Sequence, residues 1–341
     1  MLMYTKLISE YRFDPSENPE SAIFDLMHYG YVCIVDEHSR VLYSAGDCDD
    51  LVFYRSASKP IQSLPVFKYG LDKEFGIEEW ESVVLSASHA AEPCHVQAVE
   101  NILRKGGFSE DILCMSPTRP TNEAANEARI RAGLPLRKVY HNCSGKHAAL
   151  LLVQKYLGGN VEDYWKVDTP VFREVADCIR TFAETDRMKV GVDGCGVPVF
   201  AVGMKNIAIS FKNLACPEYI RDDALQRAAI DNVGRIQRHP EMIRGTGFPC
   251  TIMNMDPNII AKGGANGVYG FGLKKQKLGV AFKLIDGTEA AWPFMLKEIL
   301  RALDALTPEH EARLDSLHPT FFVNDNGKIV GERRSEIKIS I

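Results

Sequence analysis

The sequence predicts a mixed α/β (α+β) fold in which strands from both ends pair in one antiparallel sheet and helices cluster between them. Three observations carry this. An apolar run, Tyr31–Val35, a polar turn over Asp36–Ser39 and a second run, Val41–Tyr43, read as a hairpin near the start. From Pro60 to Arg238, apolar residues recur at helical spacing in segments that end on glycine or proline. Late in the chain the pattern returns to alternation and closes with a strand, a turn and a long helix.

The first helix is expected over Pro60–Tyr69, with proline near its first turn and Gly70 at its end. Glu92–Lys105 closes on Gly106-Gly107, Gly145–Leu157 closes on Gly158-Gly159, and Pro170–Glu184 follows. A helix over Arg221–Arg238 stops at His239-Pro240, because the residue before a proline is pushed out of the helical region. Val268–Leu273 alternates as a strand does, Leu278–Ile285 is another strand, Asp286-Gly287 its turn, and Glu289–Leu306 a long amphipathic helix. No repeat, low-complexity tract or linker divides the chain. A single domain over 1–341 is therefore expected, with a sheet region at about 1–55 and 255–341 and a helical region at about 56–254.

Composition narrows the function classes. Apolar content of 45% and charged content of 25% are those of an ordinary globular domain with ample core. A formal charge of −5 gives no electrostatic reason to expect nucleic acid or an anionic membrane as partner. No segment reaches the ~18 apolar residues of a membrane-spanning helix, and Met1–Arg12 lacks the apolar run of a leader. The nine cysteines are odd in number and scattered, which favours reduced thiols and a cytoplasmic location over a disulfide framework.

Five segments carry chemistry. In Arg55-Ser56-Ala57-Ser58-Lys59-Pro60, Lys59 follows Ser56 by one helical turn, and a neutral amine over a hydroxyl is a base for an otherwise weak nucleophile. In Ser86-Ala87-Ser88-His89, a second serine stands at a helix entrance, where its hydroxyl either caps the helix or serves as a second catalytic group. His141-Asn142-Cys143-Ser144-Gly145-Lys146-His147 packs a thiol, an amine and an imidazole at a helix start, where the dipole lowers a thiol pKa. Asp193-Gly194-Cys195-Gly196 sets an acid and a thiol in a glycine-rich turn that lets backbone approach a ligand. The two cysteines are either small buried hydrophobes or ligands of one soft metal ion, with Lys146 or His147 completing the set. Late in the chain, Lys262-Gly263-Gly264 precedes the alternating strand and reads as a degenerate counterpart of the Lys-Thr-Gly strand of penicillin-binding proteins and serine β-lactamases.

Taken together, Arg55-Ser-Ala-Ser-Lys-Pro, Ser86-Ala-Ser-His, Asn142-Cys-Ser-Gly-Lys-His, Asp193-Gly-Cys-Gly-Val-Pro and Arg238-His-Pro-Glu-Met resemble the Rhizobium etli type of L-asparaginase. This is the class 3, thermolabile or inducible family, asparaginase II of the serine β-lactamase-like fold. The resemblance runs over nearly the whole chain with its motifs in the family's order. It implies a homodimer that hydrolyses L-asparagine to L-aspartate and ammonia through two serine–lysine pairs, Ser56 with Lys59 and Ser88 with Lys262. It further implies zinc held by Cys143, Lys146 and Cys195, and places Arg55, His147 and Asp193 beside the substrate. Ala90-Ala91 and Gly196-Val197 depart from the family's best-known flanks.

Such a site demands neutral lysine. Deprotonating an ordinary lysine at pH 7 costs roughly 4–5 kcal/mol, which burial and neighbouring cations supply. Zinc on two thiolates would expel the Lys146 proton directly, and, carrying almost no net charge, would organise the pocket more than act as a Lewis acid. Two other functions are compatible with the same residues: a β-lactamase- or peptidase-like serine hydrolase, and a non-catalytic, zinc-dependent amino-acid-binding protein.

Overall fold

The computed structural model describes residues 4–13 and 22–341. Residues 1–3, part of the segment read above for a leader, lie outside that description, as do 14–21. The strands are β1 (Thr5–Arg12), β2 (Ile23–Val35), β3 (Val41–Ala45), β4 (Leu51–Phe53), β5 (Lys189–Val192), β6 (Pro198–Gly203), β7 (Ile259–Gly264), β8 (Val268–Leu273), β9 (Leu278–Leu284), β10 (Phe321–Val323) and β11 (Ile329–Ser335). As expected, strands from the two ends share one sheet, in the order β10-β11-β1-β2-β9-β8-β7 with β3 also on β2. All of its pairings are antiparallel.

The long β2 is the spine. Its Gly30 pairs with Thr5 of β1 and with Leu284 of β9, so those strands flank it on opposite sides. Val32–Val35 then pair with β3 on the side β1 has left, which is the predicted hairpin. β1 itself and the C-terminal hairpin β10–β11 escaped the sequence reading. So did a small second sheet, β4-β6-β5, whose β5–β6 loop is the glycine-rich turn Asp193–Val197.

The alternation of Val268-Tyr269-Gly270-Phe271-Gly272-Leu273 has a packing cause. A side chain at Gly270 would strike the Phe211 ring, and one at Gly272 or Gly279 would strike the backbone of Phe211 or Ala208. The helix Met204–Ala215 thus lies directly on the glycine face of β8 and β9. Tyr269 points away from it, stacked on Phe282 and edge-on to Trp292 of the helix Trp292–Ala302. Met204–Ala215 was missed from sequence because it is buried almost all round and so has no polar face to reveal its period.

Several predicted helices stand within a residue or two: Pro93–Gly106, Ser144–Tyr156, Pro170–Ala183 and Asp223–Arg238. Two need correction. The expected Pro60–Tyr69 helix is two short helices, Lys59–Gln62 and Leu64–Lys68, entered through a 3₁₀ turn over Arg55–Ser58 and broken where Pro65 has no N–H to continue the ladder. The expected Glu289–Leu306 helix runs only over Trp292–Ala302, with Pro293 in its first turn and Asp304 in a left-handed conformation beyond its end. No helix among the described residues is long and apolar enough to cross a membrane.

Candidate active site

The site forms where edge strand β7 meets the Arg55–Ser58 turn. A side chain on Gly264 would lie 2.5 Å from the Tyr54 carbonyl oxygen and 2.9 Å from the Ala57 nitrogen, and one on Gly263 would lie 2.7 Å from the Trp292 ring. Only two successive glycines let the strand carrying Lys262 approach that closely. A third glycine acts on the far wall: a side chain at Gly145 would strike the Val84 carbonyl, so its absence seats the helix Ser144–Tyr156 against the turn Val83–Ser86 that leads to Ser88.

Ser88 is not a helix cap. Glu92 caps the helix that follows, in a reciprocal box with His95. Instead, the Ser88 hydroxyl is shared by two amines: Lys59 Nζ at 3.0 Å and Lys262 Nζ at 3.1 Å. Lys59 also donates to the carbonyls of Ala87, at 2.7 Å, and Asn142, at 3.3 Å. Lys262 donates to the Gly263 carbonyl at 2.6 Å. The pairing therefore differs from the one expected. Both lysines meet Ser88, and no hydrogen bond joins Ser56 to Lys59 among the described residues.

Burial lowers the Lys59 pKa, and the Lys146 charge pushes the same way against the neighbouring Cys143 sulfur. Burial likewise brings Lys262 down to about 8, helped by Lys59 and Arg244 and opposed by Cys250. Ser56, Ser88, Asn142, Arg244, Cys250, Lys262, Glu289 and Trp292 line one cavity of about 70 Å³. That is far below the ~300 Å³ of even a small drug-sized site, so it suits one small polar group. A larger, more open hollow of about 530 Å³ beside Asp256 and His310 carries no serine–lysine pair.

A second, buried cluster lies behind Lys59. The Cys195 thiol hydrogen-bonds Cys143, which with Lys59 and Lys146 nearby holds the Cys143 pKa well below its ordinary value. Lys146 Nζ stands 3.1 Å from Cys195 Sγ and 3.9 Å from an Asp193 oxygen. Burial pulls the Lys146 amine down, but Cys143, Cys195 and Asp193 together outweigh it, and its pKa is raised. Two thiols in contact and an amine against one of them form a donor set that fits a soft, four-coordinate cation.

Arg55, His147 and Asp193 do not line the serine cavity. Arg55, held at φ 50°, donates to Asp193 at 2.9 Å, so these two satisfy each other. Asp193 also accepts from the Gly194 amide, and the Gly196 amide is spent on the Asp193 carbonyl. His147 is fully buried, with its Nδ1 hydrogen-bonded to the Tyr164 hydroxyl at 2.7 Å. Burial, with Lys146 adding, lowers its pKa well below normal, so it is a neutral ring.

Arg244, Cys250, Glu289 and Trp292 were missed by the sequence reading. Arg244 had a usable signal, since it stands in Ile243-Arg244-Gly245-Thr246-Gly247, two residues past a motif already singled out. Glu92, Cys94 and His95 also bring three potential ligand atoms together. Both His95 nitrogens are committed, to the Glu92 amide and the Glu241 carbonyl, which makes that group a helix-capping device.

Two serines and Lys262 line one small polar cavity, with the buried Lys59 amine on Ser88 beside them; the class of protein, an amidohydrolase, follows from its family. The chain belongs to the L-asparaginase II family, which it matches over residues 20–335. No curated protein sequence matches it. Among solved structures it is similar to a β-lactamase from Mycobacterium bovis, 13% identical over 80% of this chain and 94% of that one, with a TM-score of 0.42. It is also similar to a Bacillus glutaminase, 12% identical over 81% and 91%, with a TM-score of 0.40. A class C β-lactamase from Rhodobacter sphaeroides is 14% identical over 84% and 93%, with a TM-score of 0.36.

Proposed function

We propose that this amidohydrolase converts L-asparagine to L-aspartate and ammonia, with Ser56 as nucleophile, Lys59 and Ser88 as its proton path and Lys262 as the charge beside that path. One observation carries the reading: the Ser88 hydroxyl bridges two buried amines inside the cavity that Ser56 also lines. A hydroxyl so placed can give its proton to the leaving nitrogen while taking one from Lys59, with the Lys262 charge beside it, which is what a relay requires. Ser56, half-buried at the start of a helical turn, is open to a substrate carbonyl.

Ser56 Oγ forms a bond to the amide carbon and its proton passes to neutral Lys59. The C–N bond then breaks as the nitrogen takes the Ser88 proton, and Lys59 refills Ser88. Ammonia leaves with the proton that Ser56 lost, and an aspartyl ester remains. Water attacks the ester, giving one proton back along Lys59 to Ser56 and releasing aspartate. Lys262 stays protonated beside Ser88 and favours the charge that passes through its oxygen. The glycine-rich turn spends the Gly194 and Gly196 amides internally, which favours the backbone around Ser56 as the oxyanion donor.

The proposal includes zinc on Cys143, Lys146 and Cys195. It would fix the wall behind Lys59 and keep Lys146 neutral. Arg55 and Asp193 brace the same wall, and His147 packs behind it. A homodimer belongs to the same proposal and is tested by light scattering.

A second reading is favoured by the Lys59–Ser88 contact itself, in which Ser88 is the nucleophile and Ser56 only shapes the cavity. The deciding experiment is ammonia release from L-asparagine, L-glutamine and nitrocefin-matched controls, with acid-quenched enzyme analysed by peptide mass. An aspartyl adduct on Ser56 supports the first reading and one on Ser88 the second. Nitrocefin turnover without ammonia release would refute both.

A further inference from the structure

The cavity holds two charges that the chemistry above does not use. Arg244 donates one N–H to the Ser88 carbonyl at 2.8 Å, and its guanidinium lies 4.7 Å from the centre of the Phe248 ring. A guanidinium has five N–H groups, and this one enters no ion pair among the described residues. Glu289 is exposed at the cavity mouth, in the turn before the helix Trp292–Ala302, and it too enters no ion pair among the described residues. The two do not pair with each other either. The amines of Lys59 and Lys262 are committed to Ser88 and to carbonyls.

Arg244 is held in place, which matters for recognition. The Ser88 amide donates to the Ile243 carbonyl, so the peptide before Arg244 is tied to the serine segment. Beyond it, Gly245 and Gly247 take φ values of 128° and 79° that a side chain would resist. The Thr246 amide binds Glu92 Oε1 at 3.0 Å, and Thr251 Oγ1 donates to the Gly245 carbonyl at 2.6 Å. The guanidinium is therefore presented to the cavity from a pinned loop, with little freedom left to lose on binding.

We infer that Arg244 and Glu289 set the substrate specificity: the Arg244 guanidinium receives the α-carboxylate, and the Glu289 carboxylate the α-ammonium, of a free amino-acid amide. This rests on reading the cavity as an amidohydrolase site and goes further by naming what selects the substrate. A free amino acid is the small ligand that carries both complementary charges on one carbon, and a guanidinium fork matches a carboxylate in two hydrogen bonds. The cavity then needs to hold only the side-chain amide, in keeping with its size. An amide inside a peptide offers neither charge and is rejected, since both Arg244 and Glu289 would lose solvent without gaining partners. Arg55 and Asp193, the opposite charges that the family resemblance places beside the substrate, already neutralise one another.

The test crosses two variants with three substrates. Arg244→Gln keeps an N–H for the Ser88 carbonyl but removes the charge, and Glu289→Gln removes the negative charge with little change of shape. Ammonia release is followed from L-asparagine, from its α-methyl ester, which lacks the carboxylate, and from succinamate, which lacks the ammonium. Arg244→Gln should raise KM for L-asparagine by about 30- to 100-fold with kcat nearly preserved, the loss of one charge-assisted contact, and leave KM for the ester where it was. Glu289→Gln should raise KM for L-asparagine by about 10-fold and leave succinamate unaffected. A fall in kcat shared by all three substrates would make Arg244 a mere support for Ser88, and unchanged KM values would remove both residues from recognition. If the wild-type protein releases no ammonia at all, the proposed activity fails by itself. Calorimetric titration with L-aspartate then still decides: binding weakened in both variants upholds the inference, and no binding or equal binding overturns it.

Discussion

Lys59 Nζ lies 3.0 Å from the Ser88 hydroxyl, although its place in the sequence is one turn beyond Ser56. The Lys59 amine is thereby drawn across to the loop that carries Ala87 and Ser88, where the carbonyls of Ala87 and of the facing Asn142 take its hydrogens. If it is neutral, those two carbonyls account for both of its N–H groups and leave its lone pair for a hydroxyl proton.

Removing either serine hydroxyl should be costly. Ser56→Ala and Ser88→Ala are each expected to lower kcat by about 10³-fold or more, as loss of a nucleophile or of its proton partner does. Steady-state ammonia release checks this. A Ser88→Ala enzyme that kept near wild-type turnover would remove the relay from the mechanism.

The pH profile should be bell-shaped. Lys59 must be neutral to accept a proton, so the rate falls as pH drops through its lowered pKa. Lys262 must be protonated, so the rate also falls as pH rises through about 8. Lys262→Arg, which never deprotonates in this range, should abolish the alkaline limb in a kcat against pH plot. Stability carries its own signature. Because folding lowers the Lys262 pKa, the unfolded chain binds more protons between about 8 and the usual ~10.4, and stability rises with pH across that window. Lys262→Met should flatten that rise in urea titrations.

Gly264→Ala should damage both fold and function. Its new carbon would meet the Tyr54 carbonyl and the Ala57 nitrogen, both backbone atoms with little room to yield. Overpacking of this kind costs about 1–3 kcal/mol. Denaturant midpoints measure the cost, and activity should fall by more than stability because β7 and the Ser56 turn are forced apart. An alanine variant with wild-type stability and rate would show that the close approach is dispensable.

The sulfur cluster predicts a metal. Purified protein should contain about one zinc per chain, and Cys195→Ser should lose most of it while raising KM more than it lowers kcat. Elemental analysis beside kinetics checks this. Wild-type protein free of zinc after purification in zinc-supplemented medium, with full activity, would leave Cys143, Lys146 and Cys195 as a hydrogen-bonded core.

The legible parts of this chain were the ones with local causes. Helices such as Pro93–Gly106 announce themselves through a proline start and a left-handed Gly107, and the hairpin at Val32–Val41 through its polar turn. Met204–Ala215 did not, because burial on every side erases its period, and the small β4-β6-β5 sheet did not, because its strands are three to six residues long. In the site, spacing put Ser56 with Lys59 and the family resemblance put Ser88 with Lys262, whereas folding put both amines on Ser88. Glu289 carried no motif and Arg244 only the nearness of one, and their shared cavity is what draws attention to both.

By itself the sequence determined the layout of strands and helices, the family, and which segments bear hydroxyls, amines and thiols, since these follow from residue type and near-neighbour spacing. Only the tertiary structure decided which group meets which. Lys59 and Ser88 are 29 residues apart, Lys262 and Ser88 are 174 apart, and Arg55 and Asp193 are 138 apart. Those meetings depend on how closely backbones pack at Gly145, Gly263 and Gly264, and the close approach arises only when the β7 edge and the helix starts fold against each other.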